Sequence, residues 1–333
     1  MDKVTKLKDI AEKLGVSITT ISKAINNHPD ISYKRRQQIL KTIEDMQYLP
    51  NIIAKNLRQK STKFIGLIVS DNTNPYYARV IKGAEDEIVG LNYDTILFNT
   101  AEDPDRELKI INNLISIKVA GVIITPAMGN SRSIKKLKEF KIPFVLANRY
   151  INKNEDYYVV ADDFKAGFIA TNYLIKKRFK KIIYINSFES ISSSKNRRKG
   201  YIEALKENNI EVNKNWIYDN IIDQNGGYNI TKKRILSTHK KLFSILCYSD
   251  FIASGVIKCL VEKGIKIPEE VAVMGIDNTE ILSFSYPGIS TVSIPKFKIG
   301  KESAKLLFNI IKDYNYPRSP IILEPVIKIR DSA

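Results

Sequence analysis

The 333-residue sequence is poor in the residues on which much enzyme and metal chemistry rests, with two cysteines, two histidines and one tryptophan. Cys247 and Cys259 are too far apart for a CxxC metal or redox motif, and no histidine cluster completes a zinc site. Both are expected to be reduced core residues, with neither metal nor cofactor bound. His28, in an NNHPD loop, and His239, near an expected helix end, stand beside no nucleophile motif such as GxSxG. Gly300-Lys301 is followed by Glu302 rather than by the Ser or Thr of a phosphate-binding P-loop. No GxGxxG follows a strand with an acidic residue about 20 positions on, which excludes the common dinucleotide fingerprint. The expectation is a protein without enzymatic activity.

Long apolar runs are missing too. None approaches the roughly 18 residues needed to span a bilayer, and the first 25 residues are charged where a signal peptide would be apolar. A cytoplasmic location is expected. No repeat of fixed period is present, so solenoids and propellers are set aside.

What the sequence has in excess is positive charge: 53 Lys and Arg against 36 Asp and Glu, a formal net of +17. Residues 1–62 contribute +6 of this, so the excess is spread along the chain. Such a balance suits a polyanionic partner, because cations displace counterions from phosphates. Lysine-, isoleucine- and asparagine-rich usage can equally reflect genome composition. The basic runs KKRFKK (176–181), a helix end leading into a strand, and KNRRK (195–199), a helix face, read as solvated, Arg197 excepted.

Two patterns divide the chain. From Lys63 onward, short β-branched runs (FIGLIVS, TILF, VAGVIIT, PFVLAN, KIIYIN, LFSILCY, VAVMGI) alternate with helical periods, the rhythm of βαβ units in a parallel sheet. Eight or more strands exceed one comfortable sheet, so two doubly wound parallel-sheet lobes are expected. Before Lys63 there are three short helical periods and no strand. The expected organisation is an all-α head over residues 1–50, a linking segment over 51–62 and an α/β body over 63–333. Its first lobe spans about 63–160 and 294–322, and its second about 161–293 and 323–333.

The head carries the sharpest signal, LKDIAEKLGVSITTISKAIN. Leu7, Ile10, Ala11 and Leu14 form one apolar stripe that Gly15 breaks, and Ser17 can cap the next helix, whose Val16 and Ile21 pack back. That is helix-turn-helix grammar, although an ordinary helical hairpin has similar ingredients. Ile18, Thr19, Ser22, Lys23 and Asn26 then fall on an outward face that a DNA major groove can meet, with Ser17 and Thr20 beside them. After a third helix over Ser32 to Met46 comes YLPNIIAKNLRQKS. There Pro50 stops the helix, Asn51 can cap another, and Ile53, Ala54 and Leu57 share a face; so short a segment is marginally helical alone.

The order GVSITTISKAIN, YLPNIIAKNLR and IGLIVSDNTNPYY resembles the lactose/galactose repressor (LacI/GalR) family over essentially the whole chain. The resemblance implies a dimeric transcriptional repressor with a periplasmic-binding-protein-like body that binds a small-molecule effector between its lobes. It implies that Ile18, Thr19 and Lys23 read a palindromic operator, that Asn51 opens a hinge helix, and that Leu57, supported by Ala54, wedges into the minor groove. Two residues depart from the family: Lys6 stands where a capping threonine is usual, and Gln47 where a glycine precedes Tyr48. No leucine heptads follow IKIRDSA, so a homodimer without a tetramerising coiled coil is expected.

Ligands of doubly wound sheets bind beyond the carboxyl ends of the strands. The polar and aromatic residues there are Asn74, Tyr76, Tyr77, Asn99, Thr100, Asn148 and Arg149 in the first lobe. In the second they are Asp163, Ser193, Arg197, Asp250 and Asp277. Carboxylates and a guanidinium pair with hydroxyls, and aromatic faces cover the apolar side of a sugar ring, which makes a carbohydrate the leading effector class. Where the family often places a stacking aromatic, this chain reads DQNGGY near Gln224, with Tyr228 the nearest candidate. The competing reading is a solute-binding sensor or transport protein without functional DNA binding; the helical head and the missing leader argue against it.

Overall fold

The computed structural model describes residues 5–48, 62–238 and 242–333. The chain divides into two units, Met1–Lys60 and Ser61–Ala333.

The described residues of the first unit form three helices, α1 (Leu7–Leu14), α2 (Ile18–Ile25) and α3 (Tyr33–Asp45). Gly15 ends α1 in the left-handed region at φ 61°, which glycine adopts without a Cβ penalty. Ser17 caps α2 by accepting the Thr20 N–H at 3.1 Å, and Ser32 caps α3 by accepting from Arg35. Ile10, Ala11, Ile21, Ala24 and Ile39 form the buried centre, with Leu7, Leu14 and Val16 packed against it. Each fully buried isoleucine contributes about 1.5–3 kcal/mol, so these few side chains hold the unit together. Lys6 supplies no side-chain cap, but the Asp9 carboxylate in the first turn accepts the Lys6 N–H at 2.7 Å. Gln47 adopts φ 48°, so this side chain occupies a conformation suited to glycine while the Tyr48 N–H closes the helix onto the Ile43 carbonyl.

The second unit is built on two six-stranded sheets. The first runs β11-β5-β4-β3-β1-β2, all parallel, from β1 (Phe64–Val69), β2 (Asp94–Asn99), β3 (Gly121–Ile124), β4 (Phe144–Ala147), β5 (Tyr158–Ala161) and β11 (Ile321–Leu323). The second runs β12-β10-β9-β8-β6-β7, from β6 (Ile182–Ile185), β7 (Ile217–Tyr218), β8 (Phe243–Cys247), β9 (Val271–Asp277), β10 (Ser290–Ser293) and β12 (Val326–Lys328). Only β12 in this sheet pairs antiparallel. The central strands β3, β4, β6, β8 and β9 are buried throughout, as strands covered by helices on both faces must be. Cys247, at the end of β8, and Cys259 are free and buried.

Helices α4 (Pro75–Gly90), α5 (Pro104–Ser116) and α6 (Arg132–Glu139) flank the first sheet. The second is flanked by α7 (Asp163–Lys176), α8 (Ser192–Glu207), α9 (Gln224–Ile230) and α10 (Asp250–Glu262). A further helix, α11 (Lys296–Lys312), packs on α4 and on β4 of the first sheet. The chain therefore crosses between lobes three times: after β5, after β10 and between β11 and β12. Reciprocal glycine contacts hold helices together in both lobes, Gly227 and Gly255 doing so between α9 and α10. A Cβ on Gly167 of α7 would stand 2.1 Å from the Arg197 carbonyl oxygen, and one on Gly200 of α8 would stand 2.0 Å from that of Phe164. Gly83 and Gly300 hold α4 against α11 in the same way. Helices this close need glycine at the crossing, and α8 is thereby fixed against α7 at Arg197.

Candidate functional site

Two surfaces come from these scaffolds, one in each unit. On the head, Ser17, Ile18, Thr19 and Asn26 are exposed along α2, while Thr20, Ser22 and Lys23 are half-buried. An isoleucine 46 % exposed on a helix whose other face supplies the core has no structural task there. Lys23 is not free: its ammonium lies 2.7 Å from the Asp30 carboxylate, which His28 also approaches. Asn26 turns its amide onto the Ser22 carbonyl at 2.8 Å. The hinge residues Asn51, Ala54 and Leu57 lie outside the described residues, as does His239.

In the second unit a cleft of about 380 Å³ opens between the two sheets and is lined from both lobes. Tyr76, Tyr77 and Arg149 line it from the first lobe, and Asp163, Ser193, Arg197 and Asp277 from the second. Its lining residues lie where strand ends give way to loops and helix starts, the position at which doubly wound sheets bind ligands. Asn74 caps α4 by accepting the Tyr76 N–H, and the Tyr76 hydroxyl donates to Asn148 Oδ1 at 2.7 Å. Tyr77 shares a 2.6 Å hydrogen bond with Ser70, and burial pushes its phenol up to about 12.

At the base of the second lobe Arg197 is buried between two acids. Its Nε donates to Asp163 Oδ1 at 2.8 Å, a terminal nitrogen donates to the Tyr248 carbonyl at 2.5 Å, and both terminal nitrogens reach Asp277 at 3.4 Å. The Tyr248 ring lies 4.5 Å from the guanidinium and its hydroxyl bonds Ser193. Burial pushes the Asp277 carboxyl up to about 7; Arg197 opposes the shift and Asp250 adds to it. Asp277 also holds φ 129° and Asn278 φ 54°, a strained turn whose carbonyls accept from the Lys296 ammonium at 2.5 and 2.9 Å.

The first lobe has its own ion pair, the buried Arg149 with the half-buried Glu102. The guanidinium donates to both carboxylate oxygens, at 3.0 and 2.7 Å, and to the Pro126 carbonyl at 3.0 Å. Burial alone would raise the Glu102 carboxyl, but Arg149 outweighs it and holds the group below its usual value. Glu102 sits at φ 58° directly after Ala101 at φ 54°, and Asn148 at φ 66°. Three strand ends that carry cleft residues thus use left-handed backbone without glycine, a strain that clusters at binding sites.

Several expected residues lie elsewhere. Asn99 turns away from the cleft, bonding Asn72 and the Ala101 N–H, and Thr100 is buried on the Val69 carbonyl. Asp250 points down from the start of α10 into the sheet. It accepts from the Thr279 N–H at 2.7 Å and Thr291 Oγ1 at 2.5 Å, and so ties β9 to β10. Tyr228 bonds Glu262 on the outer surface instead of facing a ligand. Arg198, read as a solvated face, pairs with Glu189 and Asp219. Beside Tyr76 and Tyr77, aromatic and apolar lining also comes from Tyr248, Phe251 and Ile222, none of which the sequence had singled out. Phe251 is one position past the chosen Asp250, the register shift that turns a side chain from sheet to cleft. Glu102 left a usable signal, since it follows β2 as Arg149 follows β4. Among the described residues no group of three or more His, Cys, Asp or Glu could hold a metal. None of the helices described is long and apolar enough to cross a membrane.

Comparison with known proteins places both units. Residues 6–51 match the bacterial regulatory proteins of the lacI family, and residues 62–329 match the periplasmic binding proteins and sugar binding domain of the LacI family. The HTH-type transcriptional repressor PurR of Mannheimia succiniciproducens is 30% identical over 328 residues, 98% of each chain. A LacI family transcriptional regulator from Enterococcus faecium, solved with bound ribose, superposes with a TM-score of 0.71 at 25% identity, over 81% of this chain and 98% of that one. The lac repressor dimer bound to operator and the anti-inducer ONPF shares the fold at TM-score 0.85 and 18% identity, over 99% of both chains. The chain belongs to the LacI family of bacterial regulatory proteins, as a DNA-binding transcription regulator with an effector-binding body.

Proposed function

We propose that this regulator represses transcription by binding a palindromic operator as a homodimer, and that a sugar or sugar derivative held in the interlobe cleft sets its affinity for DNA. The observation that carries the effector reading is Arg197, buried between Asp163 and Asp277 at the base of a cleft lined by both lobes. Such an array offers paired donors and acceptors to vicinal hydroxyls, and Phe251 and Ile222 supply the apolar contact a ring face needs. The Enterococcus faecium regulator was solved with ribose, which supports the same class here. Ile18, Thr19 and Lys23 are the base-reading candidates, with Ser17, Thr20, Ser22 and Asn26 alongside. Asn51, Ala54 and Leu57 are the hinge candidates. No catalytic role is assigned to any residue, and a cytoplasmic location is proposed.

The dimer is supported by Ile281, Phe284 and Tyr286, which are 67 %, 89 % and 92 % exposed on one short loop of the second lobe. Side chains of that size left in water mark a surface meant to be covered. A ligand that changes the angle between lobes shifts the population of dimers able to engage both half-sites. The test is selection of random duplexes by the purified full chain at defined salt with competitor DNA, followed by a screen of sugars for release or tightening of the selected complex. A shared palindrome with a responsive sugar fits the reading; salt-sensitive, sequence-blind binding refutes it.

A further inference from the structure

The charge inside the cleft runs opposite to that of the chain. Against a formal +17 overall, the lining carries five carboxylates, Asp71, Glu102, Asp163, Asp223 and Asp277, and two guanidiniums, Arg149 and Arg197. Both arginines are already engaged. Arg197 is shared by two acids, and Arg149 is closed off by a two-point pair with Glu102, the geometry a guanidinium would otherwise offer to a phosphate or carboxylate. Glu102 is itself fixed, since a carboxylate oxygen also accepts the Met128 N–H at 3.0 Å and its backbone is held in the left-handed region. An anionic ligand would have to displace this carboxylate from a largely buried cation or enter beside uncompensated negative charge.

Resting on the cleft as the effector site, we infer that its ligand is a polyhydroxylated compound without phosphate or carboxylate, neutral or aminated, and that Glu102 sets this exclusion by occupying Arg149. Glu102 is a specificity residue that discriminates by repulsion, and Asp277 and Asp163 remain acceptors for hydroxyl or ammonium groups.

The test uses inorganic phosphate and acetate as probes on the full chain, read by thermal unfolding and titration calorimetry against chloride at matched ionic strength. The basic exterior binds anions diffusely, so only a signal lost on Arg149→Met counts. The wild type should show no Arg149-dependent saturable phosphate binding. Glu102→Ala should gain it with a millimolar Kd, and the double variant with Arg149→Met should lose it again. If Glu102→Ala folds poorly, recovery of its unfolding transition in phosphate or acetate is the same readout, and Glu102→Gln, which keeps an acceptor for Met128, provides a second background. Arg149-dependent phosphate binding by the wild type overturns the exclusion, as does a natural effector bearing phosphate or carboxylate. No gain in either Glu102 variant overturns the role of that residue. A compound that alters operator binding with affinity unchanged by Phe251→Ala and Asp277→Asn would move the effector site out of the cleft, a failure of the underlying reading distinct from these.

Discussion

Replacing Gly167 with alanine puts a methyl group where α7 meets α8. The new Cβ would lie 2.1 Å from the Arg197 carbonyl oxygen and 3.0 Å from its Cα, against ordinary contacts near 3.4 Å or more. No side chain can rotate away, because the obstacle is backbone, so the helices must separate by about 1 Å. Overpacking of this kind costs about 1–3 kcal/mol or more, and alanine's better helix propensity returns at most about 1 kcal/mol. For a unit of this size each kcal/mol lowers Tm by about 2–4 °C, so a cost of about 3 kcal/mol less an offset of about 1 kcal/mol gives an expected fall of roughly 4–8 °C. The displaced segment contains Arg197, which contacts Asp163 at 2.8 Å and Asp277 at 3.4 Å. Effector affinity should therefore drop tenfold or more while operator affinity without effector stays within about twofold. Calorimetric unfolding and effector titration of Gly167→Ala are compared with Gly90→Ala, where nothing lies within 4 Å of the added carbon. If the two variants unfold at the same temperature, the close crossing does not constrain the lobe and the reasoning fails.

Three further outcomes are expected. Gln47→Gly should relieve the left-handed strain at φ 48° and stabilise the head by about 0.5–1 kcal/mol after the entropy cost of glycine, measured by urea unfolding of the full chain followed by a head-specific probe. Glu107 is buried on the Ala127 N–H at 2.6 Å, and burial pushes its carboxyl up to about 7 from 4.5. The native state thus binds more protons than the unfolded one between about pH 4.5 and 7, so stability falls as pH rises through that window and levels off above it. Glu107→Gln keeps an acceptor for Ala127 and should remove this slope, gaining up to about 3 kcal/mol at pH 8 relative to pH 4. Denaturant unfolding at several pH values would refute this by showing equal slopes for variant and wild type. Phe284→Asp should shift the protein toward monomer in analytical ultracentrifugation at micromolar concentration and weaken operator binding at least tenfold with effector affinity little changed; an unaltered dimer would exclude that loop from the interface.

The sequence by itself determined the two kinds of architecture, the order of their elements and the helix-turn-helix face. These depend on local periodicity, on a glycine at one turn and on Ser17 at one cap, all read within a few residues. It also drew attention to Arg149, Asp163, Arg197 and Asp277, because residues after strand ends share a position whatever their partners. Only the tertiary structure decided which of them face the cleft. Asp250 and Phe251 differ by one helical position, about 100° of rotation, and that sends the acid into the sheet and the ring into the cleft. Pairings such as Glu102 with Arg149, 47 positions apart, and Arg197 with Asp277, 80 apart, arise from β-strand order and the three lobe crossings, and these long-range contacts leave no local pattern. The cleft's negative sign within a strongly basic chain has the same origin, because composition is summed along the chain whereas a site's charge is summed in space.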